Sequence, residues 1–142
     1  MATTCTLNLS SDMLSSPINI TASTTLTKAS LTSDLDLIEM GRGTIAEADA
    51  SKTAEFGLAT VLGANKAAKL FLVNKATDPT YYIDVDIHDT NIGRLYAGDW
   101  MFIPWGINDV ASEIVIEAEP AGATCPYEFA LFQETQTLVD DS

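Results

Sequence analysis

The sequence predicts an all-β fold: a single-domain antiparallel β-sandwich, jelly-roll-like, preceded by a Ser/Thr-rich N-terminal arm or pair of edge strands. Three observations carry that expectation. Apolar and polar residues alternate strictly in several segments, Tyr81–His88 and Glu113–Glu119 among them, and a period of two marks a strand with one buried face. Roughly eight to ten such short segments follow one another with Gly, Pro, Asn, Asp and Ser clusters between them, the spacing of a sandwich or jelly roll. The densest apolar stretch, Leu95-Tyr96-Ala97-Gly98-Asp99-Trp100-Met101-Phe102-Ile103-Pro104-Trp105, holds both tryptophans and reads as the central strand.

At 142 residues and 46% hydrophobic content the chain is one domain with one sizeable core. Residues 1–33 form the arm or edge strands and residues 34–142 the sandwich core. In the first part, Cys5, Leu7 and Leu9 alternate with polar residues, and Ile18-Asn19-Ile20-Thr21 repeats the pattern after Pro17. Such a Thr-rich, uncharged strand guards its edge poorly; a neighbouring subunit or an ordinary edge hairpin are the two readings. Three further strands are expected within 34–62: Asp34–Leu37, then Thr44–Ala48 after a Gly41-Arg42-Gly43 turn, then Glu55–Leu62. Thr44–Ala48 is ambiguous between strand and helix because of its alanines.

From residue 66 onward the aromatics concentrate. Lys69–Asn74 is short enough to be a strand buried on both faces. Asp78-Pro79 is a turn. In the next strand Tyr81, Ile83, Val85 and Ile87 face inward and Tyr82, Asp84, Asp86 and His88 outward. Gly98 supplies the positive φ of a tight reversal. Alternation then puts Trp100, Phe102 and Pro104 on one side of a strand and Met101, Ile103 and Trp105 on the other; one side is core, the other a second buried layer or a subunit interface. Glu113–Glu119 alternates with its acids outward, Pro120-Ala121-Gly122 is a loop, and Tyr127–Phe132 closes the sheet.

Twenty acidic residues against seven basic give a net charge of −13. That field repels phosphate backbones, so no nucleic-acid partner is expected. Salt adaptation is a second source of such an excess. No apolar run approaches the roughly 20 residues of a membrane span, and the opening residues carry no secretory signature; the expectation is synthesis in a cytoplasm and no membrane. Cys5 and Cys125 read as buried thiols, and a bridge requires the first and last strands to be neighbours.

No enzyme is expected. His88 is the sole histidine, no Ser occupies a nucleophile elbow, and Gly41-Arg42-Gly43 lacks the Lys of a phosphate loop. The weak metal candidates are Asp84, Asp86 and His88, with Asp89 beside them, but residues i and i+4 of a flat strand stand roughly 13 Å apart, too far for one ion without a second strand. Asp34, Asp36 and Glu39 lack calcium-loop spacing. No cofactor is expected. The candidate interface residues are Trp100, Phe102, Trp105, Leu7 and Leu9.

The ordered set Leu70-Phe71-Leu72-Val73-Asn74, Tyr82-Ile83-Asp84-Val85, Leu95-Tyr96-Ala97-Gly98-Asp99, Met101-Phe102-Ile103-Pro104, Ile114–Ala118 and Tyr127-Glu128-Phe129-Ala130-Leu131-Phe132 resembles small virion proteins of tailed bacteriophages. It covers about half of the chain. The resemblance implies a capsid decoration (cement) protein on the outside of the shell, assembled as a homotrimer and contacting the major capsid protein. The alternative is a tail, neck or fibre binding module, holding carbohydrate or calcium through the Asp84–Asp86–His88 face.

Overall fold

The computed structural model describes residues 2–11, 18–27, 35–47, 53–56, 66–88, 90–107 and 114–137. Among them there is no helix, and ten strands run in the order β1 (Ala2–Ser11), β2 (Ile18–Thr27), β3 (Leu35–Ala46), β4 (Thr53–Phe56), β5 (Lys66–Asn74), β6 (Tyr82–Ile87), β7 (Thr90–Tyr96), β8 (Trp100–Ile107), β9 (Ile114–Glu119) and β10 (Thr124–Thr137). β1 and β2 pair only with each other; the rest form two four-stranded sheets, β3-β10-β5-β8 and β4-β9-β6-β7. All pairings are antiparallel. The pairs are nested: β6 with β7, β5 with β8, β4 with β9, β3 with β10.

The two sheets form a β-sandwich because each offers one apolar face. Leu70, Leu72, Tyr127, Phe129 and Leu131 from the first sheet meet Ile83, Val85, Ile114, Ile116 and Phe56 from the second in one core. The alternation read from the sequence is obeyed: Ile83 and Val85 are buried, Tyr81 and Ile87 pack at the margin, and Ile114, Ile116 and Ala118 are fully buried. Each large aliphatic side chain buried here is worth about 1.5–3 kcal/mol. Lys69–Asn74 alternates too, with Leu70 and Leu72 buried and Phe71 and Val73 only partly covered.

Three expectations are corrected. β8, with both tryptophans, is an edge strand, paired with β5 alone; β10 and β5 are the central strands. Its apolar run reflects a sheet that is apolar on its outer side as well, not a central position. Gly41-Arg42-Gly43 is no turn but lies inside β3, which continues to Ala46 as strand. Its glycines are there for space. A Cβ on Gly43 would fall on the Tyr127 hydroxyl and ring, and one on Gly41 would approach Phe129 Cε1 to 3.2 Å. Two core aromatics of β10 lie over a strand that has no side chains beneath them. Finally, the strand expected over Glu55–Leu62 ends at Phe56 as β4, and 57–62 lies outside the described residues.

The turns are well satisfied. Asp78 accepts from Thr80 N at 2.9 Å and Thr80 Oγ1 at 2.6 Å, which draws its carboxyl pKa down through the side-chain bond first. Gly98 has φ 88°, and Asp99 closes the same reversal, its Oδ2 accepting from Tyr96 N at 3.0 Å. Asn74, fully buried at the end of β5, ties this turn to the core. Its side-chain amide donates to Leu95 O at 2.9 Å and its oxygen accepts from Ala76 N at 2.8 Å. Its backbone bonds Gly98 and Asp99, each at 3.0 Å.

Candidate functional site

The functional surfaces are built from the strand register. On the outer side of β3-β10-β5-β8, Met40, Ala130, Phe71 and Phe102 stand opposite one another across all four strands. A second row is Arg42, Glu128, Val73 and Trp100, and a third is Phe132, Lys69 and Pro104. Ala130 and Phe132 are buried there under Phe71 and Phe102, a second apolar cluster outside the main core. Trp100 leans on Phe71 with ring centroids 6.3 Å apart, yet remains 48% exposed, and Met40 is 61% exposed. Because Ala130 is short and its neighbours Met40 and Phe71 are long, a cleft of about 470 Å³ opens above it. These rows carry two bases, Arg42 and Lys69, and one acid, Glu128; Arg42 and Glu128 face each other loosely at 3.8 Å.

The outer side of β4-β9-β6-β7 is its opposite in character. Its rows read Glu117-Asp84-Arg94, Val115-Asp86-Asn91 and Glu119-Tyr82-Tyr96. Among the described residues one base stands there against four acids. Arg94 Nε binds Asp84 Oδ1 at 3.0 Å and its guanidinium lies 4.6 Å from the Tyr82 ring centre. Tyr82 in turn touches Tyr96, centroids 5.2 Å apart.

This disperses the weak metal candidates. Asp84 and Asp86 share the face, but Asp84 is occupied by Arg94 and Asp86 Oδ1 is buried without a hydrogen-bond partner. His88 has left the strand: it has φ 49° in the two-residue connection between β6 and β7, where hairpin geometry asks for positive φ. Asp34 and Asp89 lie outside the described residues, and Glu39 is exposed. Among the described residues no three His, Cys, Asp or Glu side chains gather to hold an ion. Cys125 is a free, buried thiol, 3.5 Å from Tyr82 O, so no bridge joins it to Cys5.

The five interface candidates fall in two places. Trp100 and Phe102 are on the apolar outer face, while Met101 and Ile103 pack on the core; Trp105 is in register with Ala68, its side chain outside what the structure describes. Leu7, in the β1–β2 hairpin, is 38% exposed; Leu9 pairs with Ile20, its side chain likewise outside the description. Sequence reasoning missed Met40, Phe71 and Ala130. Alternation along β5 and β10 held the signal for two of them: Phe71 and Ala130 sit between core residues in runs that are apolar throughout.

The fold and its surfaces thus define an all-β antiparallel sandwich with one apolar and one acidic outer face. The chain matches no described protein family and no curated protein.

Proposed function

We propose that this protein is a non-enzymatic structural component of a phage particle: a capsid decoration protein that assembles as a homotrimer and seats on the outside of the shell, across neighbouring copies of the major capsid protein. The carrying observation is the contrast between the two outer faces. A sandwich with one apolar, nearly neutral face and one strongly acidic face suits a molecule that lies against a protein surface on one side and meets solvent on the other. The nested strand order supports the reading: strands paired in this nested way are what a jelly roll, an architecture of viral capsid and lectin domains, would have. Fold alone assigns no function, so the surfaces weigh more.

The alternative is a tail, neck or fibre module that holds sugar or calcium. It rests on Asp86, whose Oδ1 lacks a partner, and has against it the neutralisation of Asp84 by Arg94. The deciding experiment is the copy number in purified particles, by quantitative mass spectrometry against the major capsid protein. A ratio of one, or a simple fraction of it, fits a shell-wide decoration; a handful of copies moves the protein to tail or neck; absence sinks the virion reading. Chelation that leaves melting temperature and shell binding unchanged argues against the calcium alternative.

A further inference from the structure

The β1–β2 hairpin stands outside the eight-strand sandwich. Its register is unbroken from Ala2↔Thr27 to Ser11↔Ile18, yet both of its sides reach solvent at mid-length. Leu7 and its partner Ala22 are exposed on one side, Thr6, Asn8, Thr21 and Ser23 on the other. On that second side, among the described residues, Thr6 with Ser23 (3.3 Å) and Thr21 with Asn8 (3.1 Å) bond across. Apart from the approach of β2 to β3 the ribbon has no sheet neighbour among the described residues, and a two-stranded ribbon by itself is marginal in water. Neither strand contains a charged residue, in a chain of net charge −13. Two copies repel each other over most of their surfaces; the hairpin, like the edge strand β8, approaches another copy without like-charge contact.

The apolar outer face is its complement. It offers the cleft over Ala130, bounded by Met40 and Phe71, with Trp100 beside it, and it is the one outer face without an acidic excess. We propose that the hairpin of one copy docks on the β3-β10-β5-β8 outer face of a second copy, with Leu7 directed at the cleft over Ala130. This deepens, and rests on, the self-assembling reading above. The contact joins two different patches, so it is head-to-tail; it forms a ring where the rotation between copies closes, as the homotrimer proposed above requires, and a filament where it does not. Ten residues at about 3.4 Å by two strands give a footprint of about 340 Å² on each partner. That is roughly 700 Å² in total, below the roughly 1,200 Å² of a stable pairwise interface. One contact alone is therefore weak, and closure, which gives every copy two, makes assembly cooperative with little dimer.

Sedimentation velocity on the full chain tests this, with Leu7→Asp for the hairpin, Met40→Asp for the face and Tyr96→Asp on the acidic face as control. The wild type and Tyr96→Asp are expected to sediment as the closed oligomer, and each of the other two as a monomer. An equimolar mixture of Leu7→Asp and Met40→Asp keeps one intact hairpin and one intact face but cannot close, so it is expected to recover a two-copy species only well above the concentration at which the wild type assembles; two misfolded variants do not complement. Leu7→Asp or Met40→Asp sedimenting as the wild-type oligomer, or a concentrated mixture that shows no more two-copy species than either variant alone, overturns the docking while leaving a shell role to the copy-number measurement. A monomeric wild type overturns both the docking and self-assembly.

Discussion

Asn74 is the residue on which the most structure depends. It is the lone buried polar side chain of the described core, and its two bonds satisfy the Leu95 carbonyl and the Ala76 amide. Asn74→Ala leaves both groups buried and unpaired, at about 1–3 kcal/mol for each unsatisfied group. Chemical denaturation is expected to show a loss of about 2–4 kcal/mol, with Asn74→Asp no better: it keeps the acceptor for Ala76 but buries a carboxylate and turns a second acceptor on the Leu95 carbonyl. A loss under about 0.5 kcal/mol, the scale of a neutral surface change, contradicts the network. Two further residues set a pH limit. Burial raises the Cys125 thiol pKa, and burial followed by the nearby Glu39 charge raises the Tyr127 hydroxyl pKa. Both groups are held neutral more firmly folded than unfolded. Their contribution is complete below the ordinary values, about 8.5 and 10, and is lost as pH rises through the higher folded values. Urea midpoints are therefore expected to fall on the alkaline limb, and Cys125→Ala to remove the earlier part of the fall; a flat limb contradicts it.

Among the elements, β8 separates what the sequence reveals from what it hides. Its alternation correctly put Trp100 and Phe102 on one side and Met101 and Ile103 on the other, because a period of two is local chemistry. Its place in the sheet is not local. A central strand and an edge strand with an apolar outer face have the same pattern, and only β5, 30 residues away in sequence, decides between them. The Gly41–Gly43 segment failed for the same reason: the rings that need its empty positions, Tyr127 and Phe129, come from β10 at the far end of the chain. Asp84, Asp86 and His88 were legible as a face of one strand, but not the Arg94 opposite, nor the turn that removes His88. The two sides of β8 make separable predictions. Ile103→Ala, on the core side, is expected to cost about 2–4 kcal/mol. Trp100→Ala, half exposed, is expected to cost under about 1.5 kcal/mol and to act instead on self-association. Paired denaturation and sedimentation runs check this, and a Trp100→Ala protein that fails to fold puts that side chain in the core.

At the scale of the whole molecule, the two outer faces and the hairpin turn charge into a rule for assembly. Every copy carries the same excess of acid; of the two sheets β4-β9-β6-β7 holds more of it than β3-β10-β5-β8, and the strands β1 and β2 hold none. The contacts argued for here hold few ion pairs: Arg42 and Glu128 are already paired within one chain. Added salt then has one main electrostatic effect, the screening of repulsion between copies, whose range shrinks from about 30 Å at 0.01 M to about 3 Å at 1 M. Apolar burial is not weakened by salt, and sulfate strengthens it. Self-association is therefore expected to tighten as salt rises, the reverse of an assembly held by ion pairs. Sedimentation equilibrium across a sodium chloride series checks the sign. Tightening that persists in Leu7→Asp locates the contact away from the hairpin, and loosening with salt means that charge complementarity, not the neutral face, holds the copies together.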